Sequence, residues 1–178
     1  ADEPASAGWP TPLMPAAADF PAMTVSVCNL RPESRGTSHI TSPDPAVAPA
    51  IRPNYFSTER DRALGAEAIR QARGLMQTQA MAPYRPQEFI PGPALQSEEE
   101  LIRAAGDCGT TIFHPIGTAK MGADDMAVVD DRLRVRGIDG LRVVDASIMP
   151  RITSGNTNAP VIMISEYASD LNLHYAPT

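Results

Sequence analysis

Residues 23–42, MTVSVCNLRPESRGTSHITS, decide the reading of the fold. Over Met23–Leu30, Val25 and Val27 fall on one face and Thr24, Ser26 and Cys28 on the other, which predicts a half-exposed β-strand. Arg31-Pro-Glu-Ser-Arg-Gly36 supplies turn residues, and Thr37-Ser-His-Ile-Thr-Ser42 predicts a returning antiparallel strand. Upstream, residues 1–22 hold five prolines, many alanines and no hydrophobic period; they predict an extended arm that packs, if at all, through Trp9, Leu13 and Phe20. Downstream, Pro43–Pro53 carries four prolines and predicts no regular structure.

Helical signals come next. Thr58 with Asp61 three residues on predicts a capping box, and Leu64, Ala68, Ala72 and Leu75 repeat at helical spacing to about Met81, with Pro83 as the stop. Ser97-Glu-Glu-Glu100 predicts a second capped helix, its acidic residues suiting the positive helix end, which closes at Gly106. Leu133 and Val135 alternate with Arg132, Arg134 and Arg136, as in a half-exposed strand, and after the turn Gly137–Gly140 the run Leu141–Val144 predicts a more buried one. Beyond Pro160, Val161, Ile164, Ala168 and Leu171 line one face of a C-terminal helix. Strands, then helices, then mixed elements predict an α+β fold.

Composition narrows the function. The 178 residues suit one domain or a little more, and a net charge of -6 without a basic run argues against nucleic acid. No stretch of about 18 apolar residues is present to span a bilayer. Cys28 and Cys108, 80 positions apart, exclude a CxxC pair and a zinc knuckle. The first residue is Ala1 rather than Met, with no signal pattern behind it, so the expectation is a processing site or the cut edge of a longer protein.

Chemistry has few places to sit. His39, within a strand, and His174, at the end of the last helix, read as surface or packing residues. His114 lies between Ile112-Phe113 and Pro115-Ile116-Gly117-Thr118, a setting that suits either a placed base or, on local context alone and more commonly, a satisfied core histidine. Ser154-Gly-Asn-Thr-Asn-Ala-Pro160 feeds a helix start, which attracts electron-rich atoms; the plain alternative is an N-cap by Asn156, Thr157 or Asn158. Asp145 ends the second strand, where α/β sheets present ligand contacts and where turn aspartates are also common. GxGxxG, GxxxxGK[ST], HExxH, Gly-x-Ser-x-Gly and any cluster of metal ligands are all absent from the sequence.

Three blocks in series resemble the C-terminal part of a glucose–methanol–choline (GMC) flavoprotein oxidoreductase. They are His114-Pro-Ile-Gly-Thr-Ala-Lys-Met-Gly122, Val128 through Asp145-Ala-Ser147 with Ile148-Met-Pro150, and Ser154-Gly-Asn-Thr-Asn-Ala-Pro160. Residues 25–36, VSVCNLRPESRG, also resemble a strand and turn of that family's substrate domain, and the choline-dehydrogenase-like branch looks nearest.

The resemblance implies roles. His114 becomes the catalytic base for an alcohol oxidised to an aldehyde or ketone, with hydride passing to N5 of an FAD cofactor, and Asn156 its hydrogen-bonding partner. Asn158 and Ala159 would offer N–H groups to the flavin C2 carbonyl, and Asp145 and Ala146 match a contact with the cofactor's pyrophosphate or ribitol region. The implied organisation is an arm over residues 1–22, a substrate-binding lobe over 23–113, and a catalytic and FAD-lobe contribution over 114–178. The N-terminal FAD-binding half of the same protein is an expected partner that this chain lacks, alongside a small alcohol substrate. Alternatives are a flavin-containing enzyme of the hydroxynitrile-lyase type and an inactive substrate-binding fragment. No residue marks the compartment; a cytoplasmic protein is the expectation.

Overall fold

A computed structural model describes residues 20–175, which divide into two compact units. One unit combines residues up to Asn29 with Phe56–Thr111; the other combines Leu30–Tyr55 with the chain from Ile112 onward.

The first unit is built on two helices, α1 (Glu59–Met76) and α2 (Glu98–Cys108). Ser97 caps α2 in a complete capping box, its hydroxyl accepting from the Glu100 N–H while the Glu100 carboxylate accepts from Ser97 N. At α1 only half of the expected box forms. Thr58 accepts from Asp61 N, but the buried Asp61 carboxylate accepts from the Asn29 side chain at 3.0 Å. The helix also stops at Met76, short of Met81, and its buried face differs from the expected stripe. Leu64 and Leu75 are exposed and Ala68 and Ala72 half-buried, whereas Ala66 is the buried apolar residue of α1, opposite which α2 contributes the buried Leu101 and Ala104 to the unit. Small residues face the partner helix because the helices run close: a Cβ on Gly65 would lie 2.9 Å from ring carbons of Phe56 and 3.3 Å from Ala105 Cβ. Arg73, near the end of α1, holds the segment 88–95 through a bidentate pair with Glu88. The expected strand Met23–Leu30 is irregular backbone instead, because no described strand lies beside it to complete a ladder. Of the expected arm contacts, Trp9 and Leu13 lie outside the described residues, while the Phe20 ring meets Phe89 edge-on, centroids 5.4 Å apart.

The second unit contains the one sheet found among the described residues, β1 (Thr37–His39) paired antiparallel with β2 (Ala50–Arg52), Ser38 opposite Ile51. β2 corrects the expectation that Pro43–Pro53 holds no regular structure: its three residues fall between Pro49 and Pro53, so the pairing escapes both missing N–H groups. Gly36 sits beside β2 where a Cβ would come within 2.6 Å of Pro53 O. The expected strands around Leu133 and Leu141–Val144 reduce to isolated bridges, Val129 to Val135 and Arg134 to Arg142. Leu133, at φ 64°, interrupts the extended backbone a strand needs. The exposure pattern survives all the same: Leu133 is buried while Arg132, Arg134 and Arg136 are exposed. Helix α3 (Asn158–Tyr175) lays Ile164, Ala168 and Leu171 against Val129, Leu133, Ile148 and Met149 to form the core. Among the described residues, three α-helices and a small antiparallel sheet make the architecture α+β. No helix among the described residues is long and apolar enough to cross a membrane.

Candidate active site

All the singled-out site residues fall in the second unit. Two backbone bonds stitch the segment after His114 to the segment after Asp145: Ala119 N donates to Ser147 O at 3.0 Å and Met121 N to Ile148 O at 2.7 Å. Between them and His114, Gly117 turns at φ 84°, a conformation that favours glycine, with Met149 O only 3.3 Å from where a Cβ would sit. His114 itself follows Phe113, which holds φ 60° and exposes its ring.

The half-buried His114 ring reaches the start of α3. Its Nδ1 lies 2.9 Å from Oγ1 of Thr157, a residue 43 positions later and only 8% exposed. This contact sets His114 against the residue that directly follows Asn156. The Asn156 side chain is exposed and bonds to no other described residue, so its amide is available to an incoming group. The loop that carries it is tied at its other end, where Arg31 Nε donates to Ser154 Oγ at 2.7 Å.

The opening turn of α3 has a donor arrangement that follows from sequence. Val161 N makes the first intrahelical bond, to Thr157 O at 3.0 Å. A Thr at this boundary normally turns its hydroxyl onto the second or third N–H of the helix. Here Pro160 has no N–H, and the Thr157 hydroxyl is taken by His114. Among the described residues no hydrogen bond uses the N–H of Asn158 or Ala159, so two donors at the positive helix end stay open. Such a pair suits the carbonyl edge of a flavin, which presents oxygen acceptors.

Asp145 and Ala146 sit at a short 3-10 turn, Ala146–Ile148, where the exposed Asp145 carboxylate accepts from Ser147 N at 2.7 Å. That bond is made by Oδ1 and leaves Oδ2 without a hydrogen bond among the described residues. Two open concavities of about 320 and 260 Å³ lie elsewhere in the unit, one beside Arg134–Gly140 and one beside Arg35 and Arg52; neither is lined by His114 or Asn156.

Sequence reasoning named His114, Asn156, Asp145, Ala146, Asn158 and Ala159 but weighed Thr157 only as a helix cap, and read Arg31 only as a turn residue. The usable signal for Thr157 was Pro160, which removes one of the two N–H groups that a capping hydroxyl would serve. Nothing local could have paired Arg31 with Ser154, 123 residues away.

The chain matches the family model described as GMC oxidoreductase over residues 32–165. It is 43% identical over 148 residues to an alcohol dehydrogenase [acceptor] of Pseudomonas putida, covering 83% of this chain and 27% of that protein. An oxygen-dependent choline dehydrogenase of Proteus mirabilis is 49% identical over 144 residues, 81% of this chain and 26% of the relative. Among solved structures, pyridoxine 4-oxidase from Mesorbium loti superposes with a TM-score of 0.78 at 36% identity, covering 83% of this chain and 29% of that one. The chain thus spans about a quarter of the length of the relatives it matches.

Proposed function

The chain belongs to the GMC oxidoreductase family, and on that premise we propose that it forms one wall of an FAD-dependent active site that oxidises an alcohol to an aldehyde or ketone. The observation that carries the proposal is the His114–Thr157 contact, which brings a half-buried imidazole beside Asn156 and the open start of α3. The N-terminal FAD-binding half of the same protein completes the site. Residues 23–113 serve as the substrate-binding lobe and 114–178 as the catalytic and cofactor-facing portion.

The residues divide the work by their chemistry. Neutral His114 takes the proton of the substrate hydroxyl, because an alcohol gives up its carbon-bound hydrogen far more readily as its oxygen becomes an alkoxide. The Asn156 amide donates to that oxygen, a bond that strengthens as negative charge grows there. The N–H groups of Asn158 and Ala159 would hold the flavin C2 carbonyl, aided by the α3 dipole, while Asp145 and Ala146 would meet the pyrophosphate or ribitol region. Bound FAD supplies the two-electron acceptor. A primary or secondary alcohol fits this scheme, and choline is the first to try.

The test is His114→Ala in the complete enzyme, followed by visible absorption and steady-state turnover. FAD should stay bound and alcohol-driven bleaching of its bands should slow by about 10²–10⁴-fold, the range for loss of a general base. Turnover equal to wild type would remove His114 from the reaction.

A further inference from the structure

We propose that Thr157 is a positioning residue that fixes the tautomer of His114, accepting a hydrogen bond from Nδ1–H so that the basic lone pair sits on Nε2. The inference rests on the reading of His114 as the base and adds to it the residue that decides which nitrogen works.

The geometry supplies the pair and the chemistry supplies its direction. Oγ1 and Nδ1 are 2.9 Å apart, and Thr157 is only 8% exposed. A hydroxyl can donate or accept, so a neutral imidazole can meet it in either tautomer. The two directions differ once the ring takes a proton. An imidazolium has no acceptor nitrogen, so a bond in which Thr157 donates must break during the reaction. A bond in which Thr157 accepts persists through proton uptake at Nε2 and becomes charge-assisted, with no ring rotation. The hydroxyl is not committed to capping α3: Pro160 offers it no N–H, no bond joins it to the Ala159 N–H, and the first helical bond runs to the Thr157 carbonyl instead. Ring orientation is secured by the same contact, since His114 sits on irregular backbone after the positive-φ residue Phe113.

The ring nitrogens report this directly. In the complete enzyme, ¹⁵N-histidine spectra at about pH 8.5, above the ordinary histidine titration range, read the His114 ring through the signals that vanish in His114→Gln. The expected spectrum has a protonated Nδ1 and a bare Nε2, retained in Thr157→Ser. Thr157→Val, which keeps the shape and removes the hydroxyl, should shift the tautomer ratio toward Nε2–H by roughly fivefold, the effect of one hydrogen bond. If the valine variant does not fold, Thr157→Ala is read by the same signals. A wild-type ring protonated at Nε2, or a ratio that Thr157→Val leaves in place, overturns the proposal.

In the complete enzyme, Thr157→Val should lower kcat about fivefold at unchanged KM and FAD content, with Thr157→Ser close to wild type. The two readings fail separately. Full turnover in His114→Ala sinks the base but leaves the tautomer assignment to the spectra. Lost turnover in His114→Ala with an unmoved tautomer in Thr157→Val sinks the positioning role alone.

Discussion

Replacing Arg73 with Met should destabilise the first unit by about 2–3 kcal/mol, more than any exposed ion pair in this chain could account for. The guanidinium donates four bonds: Nε to Glu88 Oε2 and Nη2 to Glu88 Oε1, each 2.9 Å, Nη1 to Leu95 O at 2.9 Å, and Nη2 to Gly92 O at 3.1 Å. Glu88 in turn accepts from Gly92 N at 3.2 Å. The two side chains are 17% and 22% exposed, so the fork–fork pair is screened far less than its surface counterparts. Breaking a fully buried pair costs about 3–5 kcal/mol, and residual access by water at both groups brings the figure down to the range given. Methionine keeps much of the aliphatic stem, so packing loss is small and the effect reports the polar contacts. Lysine retains the charge but not the fork and should lose about 1–2 kcal/mol. Urea unfolding followed by circular dichroism measures this, with an unchanged slope certifying that the unfolding reaction is the same. A double-mutant cycle with Glu88→Gln should give a coupling energy above about 1 kcal/mol. A loss for Arg73→Met below about 0.5 kcal/mol, or an additive double mutant, would refute the argument that this pair pins the segment to α1.

Two further outcomes test the second unit. Burial pushes the Asp130 carboxyl up, but the Arg134 side chain at 2.8 Å and the N–H groups of Arg134 and Arg132, both at 2.9 Å, outweigh it and hold Asp130 below the ordinary aspartate range. A lowered native value means stability that is present above the unfolded value, about 3.9, and lost as pH falls below it. The stability gap between wild type and Asp130→Asn should therefore hold at neutral pH and close as pH falls from about 4 through the lower native value, and a gap independent of pH would contradict the bonding scheme. Asn156→Ala in the complete enzyme should slow flavin reduction by the alcohol more than it raises the substrate Kd, by about 10–100-fold in rate, because its bond matters most as charge develops. Rapid-mixing absorbance separates the two effects, and a change confined to Kd would count against the assigned role.

How much could be read from sequence depended on the range of the interaction. The α2 capping box is complete within four residues, Ser97–Glu100, and the α3 stripe Ile164–Ala168–Leu171 needs only helical spacing; both were legible. The face of α1 was not, because the two leucines of the expected stripe, Leu64 and Leu75, are exposed while Gly65 comes close to Ala105 of α2 and Ala66 is buried. The short strand Ala50–Arg52 hid among prolines, and the alternation at Met23–Leu30 lacked a neighbour to make it a strand. For the site, the family motifs pointed to His114 and Asn156, but the contact that joins this stretch to His114 runs through Thr157 across 43 residues and could be seen only in three dimensions. The Asp61 carboxylate shows the same limit: a local rule assigned it to the helix start, and Asn29, 32 residues upstream, claimed it.

The amide stitches from Ala119 and Met121 to Ser147 and Ile148 also constrain how this part of the chain can change in length. One residue inserted between Gly117 and Met121 would move the imidazole by roughly 3.3 Å relative to Thr157 and turn the following side chains to the opposite face. The exposed segments 123–126 and Gly137–Gly140 lie outside those stitches and, unlike Gly122, whose N–H and carbonyl bond to Val129 and Arg136, can absorb added residues with least disturbance to the spacing. Length variation in descendants of this sequence should therefore gather at those two loops, while the eight positions from His114 to Met121 vary in residue type and not in number.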